Sequence, residues 1–134
     1  MDEARLQQLP LFSGLSKRER KRIAPLVEEV DVEAGRELVR EGDLAYELFV
    51  IEAGTAAISK GGTPIAELGP GDFFGEIALL DDDRRRTATV VASSPMRLAV
   101  VQGHDVRFIE RELPDVARQI RAAVEARVAG DRER

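Results

Sequence analysis

The chain has 134 residues, with 20 Lys and Arg against 25 Asp and Glu and a formal net charge of -5. Hydrophobic residues make up 43% and charged residues 34%, a balance typical of one globular domain with its own core. The absence of cysteine excludes disulfides, iron–sulfur clusters and thiol catalysis, and the single histidine, His104, excludes a multi-histidine metal centre. No apolar run reaches the roughly 18 residues of a membrane span, and the start of the chain does not resemble a signal peptide. We therefore expect a cytoplasmic protein without a membrane segment, and its mild acidity disfavours direct binding of nucleic acid by charge alone.

Residues 1–28 are predicted to be helical. Ser16 is followed three positions later by Glu19, the spacing of a capping box at the start of a helix. The run at 17–22 holds five basic residues around one acid, and no aromatic residues interleave with it. We interpret it as the solvated face of a short helix whose other face carries Ile23; a nucleic-acid or membrane patch is the less favoured interpretation.

Residues 29–102 are predicted to form short antiparallel strands. The apolar run at 48–51 predicts a half-buried strand. Turn signals separate the strand candidates at Ala34–Gly35, Glu41–Gly42–Asp43, Gly54, Gly61–Gly62, Gly69–Pro70–Gly71 and Ser94–Pro95. Many short strands at this spacing indicate an antiparallel sandwich, barrel or jelly roll.

Residues 103–130 are predicted to form two closing helices. Leu113 and Pro114 end the first helix, Pro114 suits the first turn of the second, and Gly130 is the predicted stop. Apolar residues recur at every fourth position of the second helix, at Val116, Ile120, Val124 and Val128. This stripe either packs on the strands or pairs with a second copy of the chain, and the pattern leaves both interpretations open.

The most informative stretch runs from residue 69 to residue 90. Its three glycines within seven residues allow the backbone to approach a partner closely. After Gly75 and Glu76, four apolar residues predict one helical turn, whose unpaired N–H groups suit a phosphate. Arg86 adds charge-assisted hydrogen bonds to phosphate oxygens, and the carboxylate of Glu76 suits a sugar hydroxyl. Together these features predict a pocket for a phosphorylated ribose, while spacing alone leaves a ligand-free glycine-rich turn as an alternative.

Catalytic and metal-binding interpretations of the chain are disfavoured. The segment GPGDFFG departs from a dinucleotide fingerprint by one residue, and it lacks the required βαβ unit. Asp81–Asp83 directly precede Arg84–Arg86, which indicates a self-compensating surface loop rather than a metal site. A cupin-like catalyst needs several histidines, whereas His104 is predicted to lie at the surface near a helix start. We therefore predict a protein that is not an enzyme and holds no metal.

The stretch resembles the phosphate-binding cassette of cyclic nucleotide-binding domains, the module shared by catabolite activator proteins, regulatory subunits of protein kinase A and gated channels. The family pattern F-G-E-[LIV]-A-L-[LIF], a short loop and R-[STA]-A is matched at 74–80 and 86–88. Upstream, residues 42–54 resemble the family's Gly-Asp motif, strand and glycine turn. The resemblance covers nearly the whole chain.

This resemblance implies one domain over residues 1–134. Its fold is expected to be mainly β: an antiparallel jelly-roll-like β-roll (double-stranded β-helix) with an N-terminal helical segment and two C-terminal helices. The β-roll would occupy 29–102, with the cassette at 71–88, and the closing helices would occupy 103–130.

The resemblance also assigns roles in a ligand pocket. The residues assigned to the pocket are Gly75, Glu76, Ile77, Ala78, Leu79, Arg86, Thr87 and Ala88. Arg86 would bind the exocyclic phosphate oxygens, and Glu76, beside the Gly75 backbone, would accept the ribose 2′-hydroxyl. The backbone N–H groups of Ala78 and Leu79 would complete the anion cradle. Two arginines precede Arg86, so the register could slip by one residue, and the Arg-Thr-Ala order favours Arg86 as the arginine that faces the ligand.

The resemblance implies a regulatory sensor that transmits binding through its C-terminal helices. Thr87, whose hydroxyl would meet phosphate or base, leaves the choice of base open. The Ala-, Arg- and Val-rich composition is typical of bacterial proteins, and bacterial activators that bind cAMP also carry a hydroxyl residue at this position. For this reason we favour cAMP over cGMP. Arg127 occupies the place where activators set an arginine near the ligand, although the last helix lacks a base-stacking aromatic residue. With no helix-turn-helix or channel segment in the sequence, we expect a stand-alone sensor or an excised regulatory domain, and a degenerate, ligand-free interaction module is the alternative.

Overall fold

A computed structural model describes residues 1–44, 47–75 and 85–132, and the side chains of Val124 and of residues 127–132 fall outside that description. In chain order, the described residues form a helical segment, two four-stranded antiparallel sheets and two C-terminal helices. This arrangement confirms the predicted mainly β fold with flanking helices.

The N-terminal segment is helical and capped as predicted. It consists of α1 (Glu3–Gln8), a 3-10 turn (Pro10–Phe12), α2 (Lys17–Ile23) and a second 3-10 turn (Ala24–Leu26). The Ser16 Oγ accepts a hydrogen bond from the backbone N–H of Glu19, and the Glu19 carboxylate accepts one from the backbone N–H of Ser16. The capping box is therefore confirmed. Lys17, Arg18, Lys21 and Arg22 are exposed while Ile23 is buried, so the basic run forms the outer face of α2.

Eight strands form the two sheets within the described part of the chain. They are β1 (Val27–Val32), β2 (Glu37–Val39), β3 (Glu47–Ala53), β4 (Ala56–Lys60), β5 (Thr63–Leu68), β6 (Phe73–Phe74), β7 (Thr89–Ala92) and β8 (Met96–Gln102). One sheet has the order β1-β8-β3-β6 and the other the order β2-β7-β4-β5. The first strand begins at Val27, before the expected β-roll boundary at residue 29.

The inner strands of the first sheet, β3 and β8, are buried on both faces along most of their length. Alternate residues of β3 enter two cores: Phe49 and Ile51 lie between the sheets, whereas Leu48 and Val50 pack against the helices. The prediction of a half-buried strand at 48–51 was therefore wrong. The unbroken apolar run suits a strand that is covered by helices on one face and by a second sheet on the other.

The closing helices complete the helix-side core. They are α3 (Gly103–Glu112) and α4 (Pro114–Arg132), so α4 continues past the predicted stop at Gly130. Val116 and Ile120 are buried in the helix-side core, so the first half of the apolar stripe packs within the chain itself, where α4 contacts α3 and the first 3-10 turn. The side chains of Val124 and Val128 lie outside the description. Of the helices described, none has the length and apolar character needed to cross a membrane.

Candidate functional site

The backbone of Arg86 is fixed to the connection between β2 and β3. Its N–H donates to the Asp43 carbonyl at 2.8 Å, and its carbonyl accepts from the Gly42 N–H at 2.9 Å. The neighbouring Arg85 is exposed, and its guanidinium donates to the Gly42 carbonyl at 2.8 Å. Of these two arginines, only Arg86 is buried. It is also the arginine that the Arg-Thr-Ala order favours.

The Arg86 side chain is held by two backbone carbonyls. Its Nη1 donates to the Gly75 carbonyl at 3.0 Å and its Nη2 donates to the Glu47 carbonyl at 2.9 Å. Arg86 is 6% exposed and is the only buried polar or charged residue among those the structure describes. Burial of a charged group is costly unless hydrogen bonds satisfy it, so these bonds explain how the guanidinium remains inside the fold.

Gly75 is required by the approach of this guanidinium. Its φ is +86°, a conformation that residues with a side chain rarely adopt. A Cβ placed on Gly75 would lie 2.4 Å from the Arg86 Nη1 and 2.8 Å from the Glu47 carbonyl oxygen. The close backbone approach predicted for the glycines of this stretch is therefore made, at Gly75, to the chain's own arginine.

The Arg86 guanidinium lies over the ring of Phe49. The Arg86 Cζ is 5.8 Å from the centre of the Phe49 ring, within cation–π distance. Phe49 in turn stacks on Phe74, with ring centres 4.8 Å apart and an interplanar angle of 9°. Both residues match the family pattern in the sequence, but neither was predicted to take part in the site.

A cavity of about 430 Å³ opens beside Arg86, a volume in the range of small-ligand sites. The residues that line it are Glu37, Leu38, Val39, Arg40, Asp43, Leu44, Glu47 and Arg86. Apart from Arg86, none of these residues was assigned to the pocket from sequence. β2 forms part of the cavity wall because it pairs with β7, the strand that begins shortly after Arg86.

The other predicted site residues are described only in part. Thr87 is exposed next to Arg86, and Ala88 is partly buried against the core between the sheets. The residues that fall outside the described ranges are Glu76, Ile77, Ala78 and Leu79, together with Asp81–Asp83. Arg127 lies in α4, but its side chain is not described. Within the described ranges, no group of three or more His, Cys, Asp or Glu residues is arranged to hold a metal ion.

Comparison with known proteins places this fold and site in a family. The family model described as the cyclic nucleotide-binding domain matches residues 29–111, more than half of the chain. The cAMP-dependent protein kinase regulatory subunit of Neurospora crassa is 39% identical over 101 residues, covering 74% of this chain and 26% of that protein. The chain belongs to the cyclic nucleotide-binding domain family, and it spans about a quarter of the length of that curated relative.

Solved structures share this fold. A chain from Geobacter metallireducens GS-15, with a proposed cyclic nucleotide-binding role, superposes with a TM-score of 0.86 at 21% identity over 98% of both chains. The catabolite activator protein of Thermus thermophilus superposes with a TM-score of 0.78 at 29% identity, covering 90% of this chain and 59% of that one. The resemblance to catabolite activator proteins and protein kinase A regulatory subunits is thus confirmed. The matches come from fungi and bacteria alike, so they do not single out a bacterial source.

Proposed function

We propose that this domain binds a cyclic nucleotide, with cAMP favoured over cGMP, and acts as a regulatory module without catalytic activity. The observation that carries the proposal is the buried Arg86, which lines a cavity of ligand size. A guanidinium presents paired N–H donors to phosphate oxygens, and its attraction for an anion strengthens where water is excluded. The family membership and the name of the fungal relative support a cyclic nucleotide, and cAMP in particular.

The proposed roles follow the family motif. Arg86 binds the exocyclic phosphate oxygens, and Glu76 accepts the ribose 2′-hydroxyl beside the Gly75 backbone. The N–H groups of Ala78 and Leu79 complete the anion cradle, with Ile77 in the same turn. For residues 76–79 this proposal rests on sequence alone.

We also propose how binding is transmitted. Thr87 and Ala88 follow Arg86 directly and lead into β7, so a ligand that contacts them is coupled to the strands. The closing helices α3 and α4 then carry the change, and the second half of α4 pairs with a second copy. Such a domain requires no metal and makes no direct nucleic-acid contact, and we place it in the cytoplasm.

Isothermal titration of the protein with cAMP and, separately, with cGMP tests the proposal. Micromolar or tighter binding of cAMP, with weaker binding of cGMP, is the expected result. The Arg86→Ala variant removes the phosphate partner inside the fold and is expected to cost about 2–5 kcal/mol of binding, roughly 30- to 4000-fold in Kd. Arg85→Ala is the matched control, because Arg85 is adjacent but exposed.

Three results would contradict the proposal in different ways. Equal effects of the two arginine substitutions would remove Arg86 from the pocket. Tighter binding of cGMP would reverse the base preference. No heat with either nucleotide, on a folded sample, would favour the ligand-free interaction module.

A further inference from the structure

The exposed side of α2 concentrates positive charge on an otherwise acidic domain. The chain has a formal net charge of -5. This seven-residue helix nevertheless carries four exposed basic residues, called here the basic face: Lys17, Arg18, Lys21 and Arg22. Among the residues that the structure describes, none forms an ion pair with these four side chains. The remaining basic residue of the helix, Arg20, has a structural partner, because its Nη1 donates to the Leu15 carbonyl at 2.7 Å.

The basic face disfavours the helix that carries it. Lys17 and Lys21 are like charges four positions apart, as are Arg18 and Arg22, and such pairs repel each other on a helix surface. Lys17 and Arg18 also lie in the first turn, where the helix dipole favours acidic residues. The capping box involves none of the four. Because local preferences of this kind are broken mainly at functional sites, the basic face indicates a surface that serves a partner.

We propose that the basic face is a docking surface for an acidic segment of a partner protein, with three or four neighbouring Asp or Glu residues. The size of the face favours this partner. A helix of seven residues is about 10 Å long, which is the length of about three residues of extended chain. A short run of carboxylates therefore covers the face, where carboxylates and cations form charge-assisted hydrogen bonds. This docking does not involve the nucleotide cavity.

The surroundings of α2 disfavour a wider polyanion. After one 3-10 turn the chain enters β1, which exposes three carboxylates: Glu28, Glu29 and Asp31. A nucleic-acid duplex or a bilayer carries anions over a much larger area and would bring some of them toward this acidic strand, whereas a short segment covers α2 alone. Ile23, the single apolar residue of α2, is buried. The helix therefore offers no exposed apolar side chain for a bilayer and no aromatic ring for bases.

Binding of a synthetic peptide tests the docking surface. The probe is a fluorescently labelled peptide with four consecutive Glu residues between Gly-Ser linkers, and the same peptide with four Gln residues is the uncharged control. In low salt and without nucleotide, we expect the wild type to bind the Glu peptide and not the Gln peptide. Added NaCl is expected to weaken the binding, because salt screens exposed ion pairs.

Two quadruple variants separate the basic face from the net charge. The first carries the substitutions Lys17→Gln, Arg18→Gln, Lys21→Gln and Arg22→Gln. The matched control removes four exposed positive charges that are dispersed over other elements, through Arg36→Gln, Lys60→Gln, Arg107→Gln and Arg111→Gln. We expect the first variant to raise the Kd for the Glu peptide by at least about fourfold, since four exposed ion pairs are lost, and the control by less than about twofold.

Two further measurements distinguish docking from a role in folding. Because the first variant relieves like-charge repulsion, its urea midpoint is expected to equal or exceed that of the wild type. In nitrogen-15 NMR spectra of the wild type, the amide shifts caused by the Glu peptide are expected to cluster at residues 16–23.

Each other outcome overturns the inference. The wild type could fail to bind the Glu peptide, both variants could lose equal affinity, or the amide shifts could lie outside residues 16–23. A lower urea midpoint of the first variant would give the four residues a role in folding instead. A short DNA duplex and vesicles that contain phosphatidylserine are tested in parallel. Tighter binding of either, lost only in the first variant, would assign the basic face to nucleic acid or to membrane.

Discussion

Replacement of Gly75 by alanine tests how closely the backbone and Arg86 approach each other. The new Cβ would lie 2.4 Å from the Arg86 Nη1 and 2.8 Å from the Glu47 carbonyl oxygen, so the guanidinium or the backbone must shift. The φ of +86° adds a cost of its own, because a Cβ in this region clashes with the neighbouring backbone. Two separate penalties therefore act at Gly75.

Gly35 isolates the backbone penalty, the second of the two. Its φ is +90° and no atom lies within 4 Å of its virtual Cβ, so Gly35→Ala carries the backbone cost without the clash. That cost is about 1–2 kcal/mol. A shift that breaks the bond from Arg86 to the Gly75 carbonyl adds about 1.5–3 kcal/mol, the range for hydrogen bonds to charged groups. We therefore expect Gly75→Ala to lower the free energy of unfolding by about 2.5–5 kcal/mol and Gly35→Ala by about 1–2 kcal/mol.

Urea unfolding of the wild type and both variants measures the difference directly. Any entropy that alanine removes from the unfolded chain is the same at both positions and cancels in the comparison. A Gly75→Ala variant no less stable than Gly35→Ala would refute the reasoning, because the contact with Arg86 would then contribute nothing. A larger loss at Gly75, together with weaker cAMP binding, would link the glycine to the arginine it contacts.

Two other substitutions test how the helices are attached. Ile120→Ala removes a side chain buried in the helix-side core and is expected to cost about 2–5 kcal/mol, against a negligible change for the exposed Glu125→Ala. Ile120 packs within its own chain, so this cost does not depend on a partner; the proposed pairing of two copies should instead make the unfolding midpoint rise with protein concentration, and a midpoint independent of concentration would contradict that pairing. Ser16→Ala removes the α2 cap and is expected to cost about 0.5–2 kcal/mol in urea unfolding, and an unchanged midpoint would contradict that role.

Local chemistry made much of this fold predictable. Ser16 and Glu19 form a capping box because both partners lie within one helical turn. The turn at Gly54 was predictable because glycine readily adopts a positive φ. In the structure its φ is +89°, and the turn separates β3 from β4 as expected. The strand at 48–51 was recognised from its apolar run, but the burial of both its faces depends on helices distant in sequence.

The amino-acid sequence singled out Arg86 and Gly75 as candidate site residues, since both lie in a motif of specific spacing. Only the tertiary structure decided what holds the arginine. The Glu47 carbonyl lies 39 positions from Arg86, and every residue has such a carbonyl, so no sequence signal identifies the acceptor. The stacking of Phe49 on Phe74 likewise depends on the register of β3 with β6, because a slip of one residue would turn one of the two rings to the opposite face.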